Sequence, residues 1–309
     1  MSHRILAAIH SQPWAIMPGY LEAIEALAIR ALDHPAVADV AGDGHAERHF
    51  EAIAQMGERV AGTRSAAIRD GVGCLPIMGP IFPRAAMINP SGAGAVALDH
   101  LAADLRVLQA DTAVKRILLT VDSPGGAVTG VAEFARLIAQ SPKPIVAHVT
   151  GMCCSAAYWI ASQASEISSD AIGMAGSIGV IMGGSVQEGL DAAGRRDVAI
   201  VSTNAPMKRP DLTTDEGKAA VREMIDAIED IFIANVAAGR KVSEATVRSD
   251  FGQGGTKTGK HAKAAGMIDR IEADGLDGAI RRLAARSPST SRRTAAANTL
   301  ALAQARGGL

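Results

Sequence analysis

The sequence predicts an α/β fold: a parallel sheet flanked by helices, preceded by an N-terminal helical extension. Three features lead there. After residue 71, short apolar runs and amphipathic stretches take turns along the chain, the alternation that builds a parallel sheet covered on its faces. A Gly/Pro-rich passage (Gly71, Gly73, Pro76, Gly79, Pro80, Pro83) opens that region. Before it, Leu21, Ile24, Leu27, Ile29 and Leu32 recur near helical spacing.

Taken in order, residues 14–69 read as helical, with a second segment at 46–61. The Gly/Pro-rich passage carries a short strand, Leu75–Ile81. A helix at 95–110, a buried strand Arg116–Val121 and a helix at 128–140 follow. Next come a strand Ile145–Val149, a helix at 155–164, a short strand Ile178–Met182, a helix at 184–193 and a strand Val198–Ser202. Thr214–Ala238 reads as a long amphipathic helix with Thr213 or Thr214 as cap and Gly239 as stop. From about Ser287 the composition is disorder-prone. These readings divide the chain into an extension (1–70), a main domain (71–286) and a tail (287–309).

Composition narrows the function classes. The chain has 309 residues, 48% apolar and 20% charged, with a formal net charge of -1. That balance carries neither the basic footprint of a nucleic-acid binder nor a polybasic membrane anchor. Aromatics are only 3%, so Ala, Val, Ile, Leu and Met must build the core. Cys74, Cys153 and Cys154 are odd in number and include an adjacent pair, which argues against a disulfide framework and for a reducing compartment. Pro144–Ser165 lacks a formal charge, but His148, Gly151, Ser155, Ser162 and Gln163 weaken it as a membrane span. A buried strand followed by a buried helix explains it.

Chemistry concentrates after two strands. Asp122-Ser-Pro-Gly-Gly126 follows Arg116–Val121 directly, and two glycines there turn sharply and expose backbone N–H groups. One helix and one strand later, Ser155 opens a helix. A single crossover places successive parallel strands side by side, so the two loops meet at the edge where open α/β sheets carry their sites. Ser155 reads either as a helix N-cap or as a nucleophile. In the second case Ala156 and Gly126 N–H groups would form an oxyanion hole. A base is then required. His148 lies within a strand and reads as a core or surface histidine. Lys208 lies in the loop after Val198–Ser202, which reaches the same edge if that strand is parallel; a buried lysine can serve as a neutral base. On sequence alone, a solvated loop charge is the simpler account of it.

Three motifs in order, Asp122-Ser-Pro-Gly-Gly126, Gly151-x-x-x-Ser-Ala-Ala-Tyr-Trp-Ile-Ala161 and Gly176-Ser-Ile-Gly-Val180, resemble the signal peptide peptidase A family of serine peptidases. The resemblance extends over roughly residues 72–285, including Gly259-x-x-Ala-x-x-x-Gly-Met-Ile-Asp269. It implies a Clp-protease/crotonase type of fold and a Ser/Lys dyad: Ser155 as nucleophile, Lys208 as general base, Gly126 and Ala156 as oxyanion donors, and Ser177 orienting the lysine. Two departures stand out, Ala156-Ala157 where the family often has Gly-Gly, and a proline-rich surrounding for Lys208. Cys154, beside Ser155, reads as a small buried hydrophobe. The N-terminal extension, with Gln12-Pro-Trp-Ala-Ile-Met-Pro-Gly19, resembles the phage head-assembly branch, which processes scaffold and other head proteins during capsid maturation.

The expectation is therefore an endopeptidase acting in the bacterial cytoplasm or the phage prohead. Its substrate pairs as an added strand with Gly125, Ala127 and Val128 on one side and Ile178, Gly179 and Val180 on the other. The resemblance implies a homo-oligomeric ring; no cofactor, metal, nucleic acid or membrane partner is expected. Alternatives are a cytoplasmic peptidase degrading signal peptides or proteins, an acyl-CoA enzyme of the crotonase type, and a catalytically dead scaffold protein.

Overall fold

The computed structural model describes residues 9–10, 12–33, 54–85, 95–183, 189 and 200–286. The expected helix at 184–193, apart from residue 189, residues 46–53 of the expected second N-terminal helix and the tail 287–309 lie outside them.

The strands are β1 (Trp14–Ile16), β2 (Glu58–Arg59), β3 (Ala67–Arg69), β4 (Val72–Met78), β5 (Ile81–Phe82), β6 (Val96–Ala97), β7 (Arg116–Ser123), β8 (Gly125–Ala127), β9 (Ile145–Cys154), β10 (Ile167–Ser169), β11 (Met174–Gly176), β12 (Thr256–Thr258) and β13 (Arg270–Ile271). The helices are α1 (Pro18–Asp33), α2 (Leu98–Ala110), α3 (Val131–Ala139), α4 (Ala156–Ala161), α5 (Asp215–Arg240), α6 (Glu244–Asp250), α7 (Gly259–Ala264) and α8 (Gly275–Ala285).

Among the described residues the strands form a nine-stranded and a four-stranded sheet. The centre of the larger is parallel: β4 pairs β7, β7 pairs β9, and β9 pairs β10 through its first half and β11 through its second. The smaller sheet runs β1-β8-β5-β6, with β1 antiparallel to β8 and the others parallel. Strand pairing crosses residue 70, because β3 joins β4 and β1 joins β8.

Period-two alternation sorts the central strands between two layers. Ile117, Leu119 and Val121 of β7 face the main core with α2, α3, α4 and the end of α5. Leu118 faces the other side, packed with Ala279, Ile280 and Leu283 of α8. With few aromatics, one stack stands out: Trp159 lies flat on Phe232, centroids 4.5 Å apart, and fastens α4 to α5 for about 0.5–1.5 kcal/mol beyond burial.

Several elements differ from expectation. The strand expected at Leu75–Ile81 is two strands, because the chain breaks at Gly79 and Pro80 and leaves one sheet for the other. Ile178–Met182 is not a strand; only Ile181 makes a bridge there, to Trp14. Residues 200–202 of the expected strand Val198–Ser202 have no regular structure, and Ile200 is 95% exposed. The long helix starts with Thr214 as N-cap, its side chain accepting the Gly217 N–H, and ends at Lys241 in the left-handed region rather than at Gly239. Gly239 instead lets α5 approach α4: a Cβ there would lie 2.2 Å from the Ser162 carbonyl oxygen. Gly239→Ala is therefore expected to cost about 2–3 kcal/mol. The check is the urea midpoint, with an unchanged slope marking a stability effect.

Candidate active site

Ser155 sits between β9 and α4, where the chain changes from strand to helix in one residue. Its φ of 57° and ψ of -121° are unfavourable for a side chain with a Cβ. Two hydrogen bonds hold that turn: the Ser155 N–H donates to the Gly176 carbonyl at 2.7 Å and the Trp159 N–H to the Ser155 carbonyl at 2.9 Å. The side chain caps nothing. Ser155 is fully buried, and its Oγ has no hydrogen-bond partner among the described residues. The capping reading of Ser155 is thus replaced by an unpaired hydroxyl at a strained strand-to-helix turn.

The two glycine-bearing loops meet as the crossover argument expects. A Cβ on Gly125 would lie 2.8 Å from the Ser155 Cβ and 3.0 Å from the Cys154 carbonyl oxygen. Asp122 fastens the second loop to the first: its Oδ1 accepts the Met152 N–H at 2.9 Å, and a Cβ on Gly151 would strike that carboxylate. Ser123 Oγ donates to the Gly79 carbonyl at 2.7 Å and accepts the Gly125 N–H at 3.2 Å. A bulge in β9 opposite Val121–Ser123 gives the strand the extra length that carries it round to Ser155. Ala156 opens α4, so its N–H is one of the first-turn donors without an intrahelical acceptor.

Ser177 follows Gly176, the residue that accepts the Ser155 N–H, and is buried with a φ of 53°. Ile178 is buried; Gly179 and Val180 are half-buried. Lys208 is placed differently. It is exposed, at the end of a one-turn 3-10 helix (Pro206–Lys208), and gives no hydrogen bond to Ser155 Oγ. Residues 200–202 are not in a strand, so among the described residues the expected strand does not carry Lys208 to the sheet edge. Cys154 is fully buried, and burial pushes its thiol up to about 12, which keeps it neutral and unreactive near pH 7.

Comparison with known proteins follows this geometry. A model of peptidase family S49 matches residues 138–287, and a Clp protease model matches residues 84–169. Over residues 138–287 the chain is similar to peptidase family S49. The chain is 30% identical over 184 residues to a putative signal peptide peptidase SppA of Enterococcus faecium, covering 56% of this chain and 52% of that protein. It is 27% identical over 249 residues to the head-tail preconnector protein GP5 of Enterobacteria phage P21, covering 77% and 48%. Capsid assembly protease C of Escherichia phage lambda is 28% identical over 213 residues, covering 67% and 48%. The chain thus spans about half the length of these curated relatives. No helix among the described residues is long and apolar enough to cross a membrane.

Two other groups are structural. Asp269, which ends the downstream motif, accepts both ends of the Arg240 guanidinium at 2.7 and 3.0 Å and the Ile167 N–H at 2.7 Å, clamping the end of α5 to β10. His148 is fully buried, with Nδ1 3.0 Å from Ser168 Oγ and Nε2 3.2 Å from Asp170 Oδ1. Burial holds its pKa below the usual histidine value, against the raising effects of Asp170 and Glu272 and with help from Arg282. A depressed histidine favours folding while neutral, so its contribution is full above about 6.5 and is lost as pH falls below that value. The expected result is a steeper loss of urea stability from pH 7.5 to 5.5 in the native chain than in His148→Gln.

Sequence reasoning missed one participant at the site. Residues 14–16, expected to be helical, form β1 and run alongside Gly125–Ala127. Pro13 and Pro18 frame a short stretch, and Pro18 occupies the first turn of α1, where its missing N–H costs nothing. That framing was the available signal.

Proposed function

We propose that the chain is a serine endopeptidase in which Ser155 is the nucleophile, Lys208 the general base, Gly126 and Ala156 the oxyanion donors, and Ser177 the residue that orients the lysine. The observation that carries this reading is Ser155 itself: a buried hydroxyl without a partner, on a strained strand-to-helix turn, against the Gly125–Gly126 loop. Strain of about 1–3 kcal/mol is kept where the surrounding structure imposes it, and such positions gather at reactive sites.

In the cycle, neutral Lys208 takes the Ser155 proton as Oγ bonds to the scissile carbonyl carbon. The Gly126 and Ala156 N–H groups hold the oxyanion, and its collapse breaks the C–N bond while the lysine ammonium protonates the leaving amine. Water then hydrolyses the acyl-enzyme and restores Ser155. Lys208 is exposed in the single chain, so the dyad closes on assembly into a homo-oligomeric ring. The exposed apolar residues Ile200 and Met207 on the same arm, and Met224 and Ile231 on α5, support a packed partner there.

The substrates on this reading are phage head or scaffold proteins, processed in the host cytoplasm or the prohead. The relatives named as a head-tail preconnector protein and a capsid assembly protease support that choice. The test is co-production with a phage head protein. Cleavage by the native chain and none by Lys208→Ala is expected; cleavage that survives in Lys208→Ala rules out this dyad.

A further inference from the structure

The path a peptide would take past Ser155 is already filled by the chain itself. β1 runs antiparallel to β8, with Trp14 opposite Ala127, Ala15 opposite Gly126 and Ile16 opposite Gly125. On its other side Trp14 exchanges both backbone hydrogen bonds with Ile181, each 2.8 Å. β1 is therefore the middle strand between the two segments expected to bind substrate backbone.

Its register is specific. The Met17 N–H donates to the Pro124 carbonyl and the Val128 N–H to the Pro13 carbonyl. Antiparallel ladders alternate bonded and non-bonded pairs, so the bonded pair between these two is Ala15 with Gly126. The Gly126 N–H, the proposed oxyanion donor, thus points at the Ala15 carbonyl. A Cβ on Gly125 would lie 2.2 Å from the Ala15 oxygen and 2.8 Å from the Ser155 Cβ, so carbonyl and nucleophile share one small volume. Side chains alternate accordingly. Ala15 packs into the main core, whereas Trp14 and Ile16 turn to a separate cluster with Ile9, Leu21 and Ala127. Trp14 is anchored there by its indole N–H on the Ile9 carbonyl at 2.9 Å and by edge-on packing with Phe82.

We infer that Pro13–Met17 is a tethered substrate mimic: it holds the peptide channel in the substrate's own register and must leave before a protein substrate can pair. The inference rests on the reading of Ser155 as the nucleophile and deepens it. The channel, as its resident strand occupies it, takes an extended peptide with a small side chain at the residue whose carbonyl faces Gly126. Bulky apolar neighbours on either side point the other way.

The experiment measures labelling of Ser155 by a fluorophosphonate in the full chain and in two full-length variants. Ala15→Pro removes the N–H that bonds Gly126. Trp14→Ser weakens the anchor without touching the ladder, and keeps the test open if the proline variant does not fold. Both are expected to label about tenfold faster or more than the native chain. A fluorescent heptapeptide of residues 12–18 should bind the variants and slow their labelling again. Equal labelling rates in native chain and variants overturn the mimic while leaving Ser155 as nucleophile. Absence of labelling throughout, with the peptide still bound by the variants, overturns the nucleophile and supports the mimic. Absence of both labelling and binding overturns both.

Discussion

Ser155→Ala is expected to abolish cleavage, with a loss on the order of a thousandfold to a millionfold in rate, while leaving the fold intact. The reason lies in what the side chain does not do. Its Oγ makes no hydrogen bond and caps no helix N–H, so removing it forfeits no structural interaction. The backbone, not the hydroxyl, carries the cost of this position. Ser155→Gly tests that separately, because glycine accepts a φ of 57° without the Cβ penalty. It should be as inactive as the alanine variant yet more stable than it by about 1 kcal/mol. Peptide hydrolysis and urea unfolding of the same two samples decide the matter. An alanine variant that unfolds early would mean that the hydroxyl is structural after all.

Gly126→Ala is expected to damage both fold and site. The added Cβ would lie 1.9 Å from the Ile81 carbonyl oxygen and 2.6 Å from the Ile81 backbone nitrogen and carbon. Backbone atoms cannot turn aside, so β5 and β8 must separate, at a cost of about 3 kcal/mol or more. On the proposed assignment the same shift displaces an oxyanion donor, and losing one costs on the order of a hundredfold or more. Gly19→Ala is the control: no atom lies within 4 Å of a Cβ there, and a helix gains from alanine. Midpoints that fall in the first variant and hold in the second confirm close backbone approach, rather than glycine flexibility, as the reason for Gly126.

How much of this was legible in the residues follows from what each signal measures. Arg116–Val121 and Ile145–Val149 are apolar runs bounded by turns, and one crossover between them fixes their neighbourhood, so the meeting of Gly125 with Ser155 could be read in advance. β10 and β11 could not, being three residues each, Ile-Ser-Ser and Met-Ala-Gly, too short for any periodicity. The full length of β9 was hidden by Gly151, which reads as a breaker but lies in a bulge forced by the Asp122 carboxylate. Residues 200–202, expected to end a strand, differ for the opposite reason. Apolarity is the same in a buried strand and in an exposed segment, and Ile200 is the latter. β1 was missed because its partners are more than a hundred residues away, beyond the reach of local periodicity.

The helix behind Ser155 ties the proposed chemistry to the packing of the core. All six residues of α4 are buried, held by the Trp159–Phe232 stack, by the Tyr158 hydroxyl on the Met267 carbonyl and by Gly239 against Ser162. A surface-mounted serine could go on working while the interior loosens, or fail while the interior stays sound. Ser155 has neither freedom, so heat inactivation and heat unfolding should share one midpoint, and an assay of turnover doubles as a gauge of how well the interior is packed. A methyl group lost or gained beneath α4 is therefore expected to move the stability of the chain and the reactivity of Ser155 together.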